Sequence, residues 1–294
     1  MSASLRRACL RREIFVSPRA DSTPTGIVYE VTTTLPGKSG KSSNGLAAMM
    51  MQPDDEPEKA MPPPDDDPWS PLHTLVSEEE VEEVRRRQAE LKPLLESKTK
   101  YDQTALHLAV DTRNWSMVKL LLELGADVGA VDDDLRTPLH LAAKGNVVSI
   151  AALLLDYGTD PWAADRHEAL PVHYAADESS TELLAAIHAE RMLTASDEYG
   201  SFPIHRAATR DNLAGVRWFL DHGASVDCAD RDGNPVLFHA IVGNAKKVIA
   251  MLAERGADWS LRGESGMTAL EFLRQAETVR AKLSDDRGES GSRP

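Results

Sequence analysis

Four histidines, His107, His140, His173 and His205, recur at almost constant spacing. A regular imidazole series is a pattern that invites metal-binding or acid–base chemistry. A metal holds its imidazole nitrogens at about 2.0–2.1 Å, whereas packed helices lie about 8–10 Å apart. Histidines on successive helical layers therefore cannot share an ion. Each stands instead at an expected helix start, where the first backbone N–H groups need acceptors.

Other residues with chemical potential fail on spacing. Asp132-Asp133-Asp134 suggests a calcium loop, but an EF-hand beginning at Asp132 needs Gly and Glu where Thr137 and Ala143 stand. Gly37-Lys38-Ser39 and Gly40-Lys41-Ser42 lack the glycine five positions upstream that lets backbone N–H groups curl round a phosphate; Thr32 and Leu35 occupy those places. A strand expected at Gly26–Val31 precedes them, and a Ser/Gly-rich linker is the better reading. Cys9 and Cys228 lie far apart without metal-ligand spacing, and Cys228 has no nearby base or cation pattern. The sequon Asn114-Trp115-Ser116 has no consequence in an intracellular chain. No nucleophile, base and orienting group come together, so no catalytic residue, metal or cofactor is expected.

Charge divides the 294 residues. Residues 1–52 carry a net +4, residues 53–100 a net −7 and residues 101–294 a net −11, within a total of −14. That balance argues against nucleic acid as a partner. The densest apolar run, Ala151–Leu155, falls far short of the roughly 18 residues of a membrane span, so no membrane insertion is expected. The composition predicts a soluble, intracellular protein, cytoplasmic or nuclear, and a monomer. Arg6, Arg7, Arg11, Arg12 and Arg19 also permit a mitochondrial presequence, although Leu5, Leu10, Ile14 and Phe15 form no clean helical stripe. Residues 1–67 are expected to be a disordered basic leader and acidic, Pro-rich linker.

The elements that place the histidines are repeats. Thr104-Ala105-Leu106-His107-Leu108-Ala109 returns as Thr137-Pro138-Leu139-His140-Leu141-Ala142, Leu170-Pro171-Val172-His173-Tyr174-Ala175 and Phe202-Pro203-Ile204-His205-Arg206-Ala207. Weaker copies begin at Pro235 and Thr268, and the intervals are 33, 33, 32, 33 and 33 residues. In the same phase run Gly125-Ala126-Asp127, Gly158-Thr159-Asp160, Gly223-Ala224-Ser225 and Gly256-Ala257-Asp258. Apolar runs between the two elements, such as Val118–Leu122 and Val216–Leu220, read as buried helices closed by a C-terminal glycine.

This pattern resembles the ankyrin repeat, whose unit opens Thr-Pro-Leu-His-x-Ala. The resemblance implies an all-α solenoid of helix-turn-helix repeats with short β-turn fingers over residues 104–283, preceded by a disordered N-terminal region and followed by a disordered tail, 284–294. It also implies that each histidine bonds to the turns and that Asp132, Asp165, Asp197 and Asp230 are turn aspartates bonding their own backbone. The third copy has Arg191-Met192-Leu193 in place of the Gly-Ala-Asp step, so its second helix should exit irregularly. Upstream, Ser70-Pro71-Leu72-His73 either opens a degenerate capping repeat over 68–103, with a helix from Ser77 and a Ser77/Glu80 capping box, or is a chance match followed by a charged helix from Ser77 to Leu91.

In such a solenoid the fingertips and first-helix surfaces form a concave face, and positions that vary there are free to recognise a partner. These are Asp133, Asp134 and Arg136, then Arg166 and His167, Tyr199, and Arg231 and Asp232 on the tips, with Lys144 and Arg210 on the first helices. Trp162 stands where the family prefers a polar residue and joins them; Trp218 and Trp259 read as packing residues. The function expected is non-enzymatic protein binding by a scaffold or adaptor. The alternatives are a regulatory inhibitor or assembly chaperone, and an accessory factor in a metabolic or biosynthetic pathway.

Overall fold

The computed structural model describes residues 13–18, 29–34 and 69–276. In the first unit, β1 (Glu13–Pro18) pairs antiparallel with β2 (Tyr29–Thr34), Glu13 opposite Thr34 and Pro18 opposite Tyr29. The ladder falls within the leader that the sequence assigns to disorder, because both stretches are rich in the β-branched and aromatic residues that suit a pleated surface. The remaining expectations for residues 1–67, the Gly-Lys-Ser triplets, Cys9 and the tail 284–294 lie outside the described residues.

In the second unit, helices come in pairs. The first helices are α1 (Pro71–Ser77), α4 (Ala105–Asp111), α6 (Pro138–Lys144), α8 (Pro171–Asp177), α10 (Pro203–Thr209) and α12 (Val236–Val242). The second helices are α2 (Val81–Arg86), α5 (Trp115–Leu124), α7 (Val148–Asp156), α9 (Thr181–Ala186), α11 (Leu213–Asp221) and α13 (Lys246–Glu254). A short α3 (Gln88–Leu91) follows α2, and a further helix opens at 269 and is described to 276. First helices pack on first helices and second on second, in chain order, so each paired helix of six to ten residues is held chiefly by its neighbours. Leu106, Leu139, Val172, Ile204 and Leu237 fill one continuous core with Leu121, Ile150, Leu184, Phe219 and Leu252 from the second row.

Local signals set the element ends. Proline at the first position of α6, α8 and α10 supplies a helical φ where no N–H is needed. Asn114 caps α5 by accepting the Met117 N–H at 3.0 Å, which is the structural job of the sequon asparagine. The second helices α5, α7, α11 and α13 run into left-handed glycines, Gly125, Gly158, Gly223 and Gly256. The third repeat departs where its missing Gly-Ala-Asp step predicts. There α9 stops at Ala186, the left-handed residue is His188, and a 3-10 turn, Ala189–Arg191, continues the chain.

At the N-terminal end, α1 packs on α4 and α2 on α5 in the same two rows. Neither the Ser77/Glu80 capping box nor a continuous helix to Leu91 forms. Ser70 caps the helix, accepting the His73 N–H, and Ser77 is its last residue. Glu79, left-handed at φ 59°, then breaks the chain before α2. Six glutamates and three arginines between Ser77 and Leu91 give this stretch polarity but no apolar stripe long enough to hold one helix.

One buried residue escapes pattern reading. Asn212 caps α11 by accepting the Gly215 N–H at 2.9 Å, while its Nδ2 donates to the carbonyls of Ala176 (2.9 Å) and Glu178 across the repeat boundary. Asn212→Ala should cost about 2 kcal/mol, because a cap is lost and two carbonyls lose a donor. Asn212→Asp, which keeps the cap and loses the donor, should fall between wild type and alanine in urea titration. Equal stability of all three proteins would rule out this role.

Candidate functional site

The histidine series forms the framework of the face it borders. In each, Nδ1 accepts the N–H of the residue three before it: Thr104 (3.2 Å), Thr137 (3.0 Å), Leu170 (3.0 Å) and Phe202 (2.9 Å). An accepting Nδ1 leaves the proton on Nε2, which donates to carbonyls of the next repeat. His107 reaches Arg136 (3.1 Å), His140 Ala169 (3.2 Å), His173 Ala195 and Ser201 (3.2 and 3.3 Å), and His205 Cys228 (3.1 Å). Burial holds His107 and His140 below the ordinary imidazole value and pushes His173 down to about 4. Burial, reinforced by neighbouring His239, takes His205 to about 3. These are neutral structural imidazoles, and among the described residues no three His, Cys, Asp or Glu side chains are placed to hold a metal ion.

Four of the fingers are each closed by an aspartate. One oxygen takes two finger N–H groups: Asp132 from Asp134 and Arg136 (3.0 and 2.8 Å), and Asp165 from His167 and Ala169 (2.8 and 2.9 Å). Asp197 takes those of Tyr199 and Ser201 (3.0 and 2.9 Å), and Asp230 those of Asp232 and Asn234 (3.0 and 2.9 Å). The triplet at Asp132 is thus a turn clamp and offers no calcium loop.

The donor to the second oxygen changes along the array. Arg136 supplies Nε and Nη2 to Asp132 (2.9 and 2.8 Å), the Tyr174 hydroxyl donates to Asp165 (2.5 Å), and His239 Nε2 donates to Asp230 (2.9 Å). Burial alone would raise the pKa of Asp230, but the bonds from His239 and Asn234 outweigh it and hold the carboxyl low. Asp197 gains only part of this relief: burial keeps its pKa raised despite two backbone bonds and the charge of Arg206. Arg206 lies over the Tyr174 ring, 5.1 Å from its centre, and is bonded to Asp177, which Arg210 also approaches at 3.9 Å. Tyr174, Arg206 and His239 each follow a finger aspartate by nine residues, and that offset in polar residues is the sequence signal that repeat reading passes over.

The structure distributes the residues singled out by sequence over four situations. Arg136 is committed to the framework through Asp132, with Asp134 at 3.5 Å. Arg166, His167, Tyr199 and Arg231 are exposed on the tips but stitched to neighbours: Arg166 to the Asp133 carbonyl and to Asp134 (3.8 Å), His167 to Glu198 (2.5 Å), Arg231 to the Glu198 carbonyl (2.6 Å). Tyr199 has its hydroxyl pKa raised by a bond to Glu198. Asp133 and Asp232 project from their tips, and Lys144 and Arg210 are exposed at the ends of α6 and α10. Trp162, half exposed, sits in the loop leaving α7, where its N–H meets Asp160 at 2.9 Å; it is off both the fingertips and the first helices. Trp218 stacks on His222 at 3.8 Å and meets Phe219 edge-on, and Trp259 packs against the core.

Cys228 is half-buried at the base of the finger closed by Asp230, and burial pushes its thiol up to about 11. In a Cys9→Ser variant, Cys228 should react with a thiol reagent at pH 8 about 100-fold more slowly than in the urea-unfolded chain, since only the thiolate attacks. Equal rates would overturn this assignment.

Comparison with known proteins accounts for this geometry. The family model for ankyrin repeats in three copies matches residues 172–262, and the single ankyrin repeat model matches 101–133 and 134–166, together more than half of the chain. The chain belongs to the ankyrin repeat family. The ankyrin repeat domain of Bcl-3, described as a unique member of the IkappaB protein family, is similar in fold with a TM-score of 0.58 and 29% identity, over 70% of this chain and 95% of that one. The human ASB11 ankyrin repeat domain gives 0.62 and 25% over 72% and 98%. Human BCL-6 corepressor-like protein 1 is 34% identical over 89 residues, which is 30% of this chain and only 5% of that protein. Ankyrin repeats are generally protein–protein interaction modules, typically without enzymatic activity. Among the described residues, no helix is long and apolar enough to cross a membrane.

Proposed function

We propose that this ankyrin repeat protein is a non-enzymatic scaffold or adaptor that holds a partner protein on the concave face made by its fingertips and first helices. The observation that carries the reading is the stitching of successive tips. Asp133 N–H donates to Tyr101 (3.0 Å), Arg166 N–H to Asp134 (2.8 Å) and Glu198 N–H to His167 (2.9 Å). Tips fixed in this way present variable side chains at little further entropic cost, which favours binding. Mixed charge along the face suits a polar protein surface. An intracellular location, cytoplasmic or nuclear, is part of the proposal and is supported by the free thiol of Cys228.

The likeness to Bcl-3 supports a second reading, a regulatory inhibitor or assembly chaperone of one partner. Affinity capture with the whole chain tests the first. A Lys144→Glu, Tyr199→Ala, Asp232→Arg variant should lose its partners while melting with wild type, and a variant of the second helices, Arg217→Glu with Lys246→Glu, should keep them. Partners retained by the first variant and lost by the second would place the binding face on the wrong side. Once a partner is in hand, its activity with and without saturating chain separates inhibition from tethering.

A further inference from the structure

Two adjacent fingertips expose large side chains, one aromatic and one aliphatic, that do not pack against the core. Tyr101 is 53% exposed on the first finger and Leu135 is 48% exposed on the second, and the two fingers are joined by the Asp133 N–H to Tyr101 carbonyl bond. Leu135 carries a second cost. Its φ is 61°, in the left-handed region; the equivalent residues are Asp102 and Glu168 in the fingers before and after it, whose short or polar chains suit a tip, and Gly200, Gly233 and Gly266 in the later ones. An L-residue branched at Cγ is strained there, and here the strain is added to exposed apolar area, with neither offset by packing.

The charges beside the pair are unequal in availability. Lys98 donates to the Val131 carbonyl (3.1 Å), the Lys100 ammonium lies 5.0 Å from the Tyr101 ring centre, and Arg166 is turned onto Asp133 and Asp134. The carboxylates of Asp102 and Asp133, exposed on the same two tips, have no hydrogen-bond or ion-pair partner among the described residues. The cations are engaged and the anions are open.

We propose that Tyr101 and Leu135 with Asp102 and Asp133 form an anchoring point for a partner-protein segment that presents an aliphatic or aromatic side chain next to Arg or Lys. The inference rests on the protein-binding reading above and names the partner chemistry for one end of that face. The apolar pair takes the anchor side chain, and the open carboxylates take the flanking cation, arranged as a small desolvated centre within a charged rim. A left-handed leucine is retained at this tip because glycine, the residue the turn prefers, has no side chain to offer.

The test uses the whole chain and two short labelled peptides of the same length, each with a central Leu-Phe pair, flanked by arginines in one and by glutamates in the other. Fluorescence anisotropy should show the basic peptide binding about tenfold more tightly. Leu135→Gly and Tyr101→Ser should each weaken that binding about tenfold. Leu135→Gly should at the same time melt at or above the wild-type temperature, a combination that a merely structural residue does not produce. Asp102→Lys with Asp133→Lys should reverse the preference toward the acidic peptide. Failure of both peptides to bind, equal binding of the two, or undiminished binding by Leu135→Gly overturns the proposal. So does a wild-type dimer in sedimentation that Leu135→Gly disperses, since the occupant is then a second copy. A captured partner that is lost with the Lys144/Tyr199/Asp232 variant but kept with Leu135→Gly sinks this inference alone; one kept by both sinks the broader reading too.

Discussion

Gly243→Ala is expected to lower the melting temperature by about 10 °C, from a loss of about 3 kcal/mol. Gly243 ends α12 at an ordinary helical φ of −69°, so its backbone would accept any residue. The obstacle is the neighbouring repeat. A methyl group there would sit inside the contact distance of the Thr209 carbonyl oxygen, 2.7 Å from its carbon and 2.9 Å from its Cα. Those are main-chain atoms at the end of α10, so relief requires the two first helices to separate. Gly125 is the control: its φ of 97° is left-handed, but an added Cβ meets nothing within 4 Å. Gly125→Ala should cost only the conformational strain, about 1 kcal/mol. Thermal denaturation of the two variants decides it, and a Gly243→Ala protein as stable as wild type would mean that α10 and α12 do not approach as described.

Acidification should destabilise the array before it protonates ordinary carboxylates. His173 and His205 are neutral in the fold with pKa values near 4 and 3, against 6.5 for an unperturbed imidazole. Between those values the unfolded chain binds protons that the folded chain refuses, so stability is intact above pH 6.5 and is lost as the pH falls toward 4. At pH 5 the loss is about 2 kcal/mol for each of the two, and His107 and His140 add to it with the same sign. Three carboxyl groups work the other way. Burial raises Asp197 and Glu178, and takes Asp111 to about 6, and groups whose folded pKa is raised favour the folded state as the pH falls. Asp111 sits at the end of α4 with its carboxyl set among neighbouring groups and part of its surface open to water, so solvent screening reduces its share. The urea midpoint should therefore drop by on the order of 1 M between pH 7 and pH 5. Imidazole resonances of His173 and His205 should remain in their neutral positions throughout. A midpoint that rises on acidification, or early titration of either ring, would falsify the assignment.

Much of this molecule is written in local sequence. The period of Thr-Pro-Leu-His copies, the left-handed glycines after the second helices and the finger aspartates are short-range features: each bonds within a few residues, so its residue types can be read without knowing the fold. The irregular third repeat was legible for the same reason, as a missing Gly-Ala-Asp step. Ser77/Glu80 misleads because the same residue types fit a capping box that the preceding Ser70 helix makes impossible.

What sequence does not contain is the availability of a side chain. Arg136, Arg166 and Arg231 read as equal candidates for recognition, yet the first closes its own finger onto Asp132 and the others are bonded to carbonyls of the finger before. Tyr174, Arg206 and His239 read as ordinary variation and prove to complete the line of finger aspartates or to neutralise Asp177. Those bonds join a finger to the helix that follows it, nine positions on, or one repeat to the next, about thirty positions on, distances that become short only once the chain is folded. The residue series by itself determined the repeat, its elements and the place of each histidine at a helix start, because backbone geometry within one unit dictates them; stacking then buried those imidazoles and kept them neutral. Tertiary stacking decided which charges are already neutralised, why Gly243 tolerates no side chain, and which two tips are left with open carboxylates beside exposed apolar groups, because each depends on what the next repeat brings within a few ångströms.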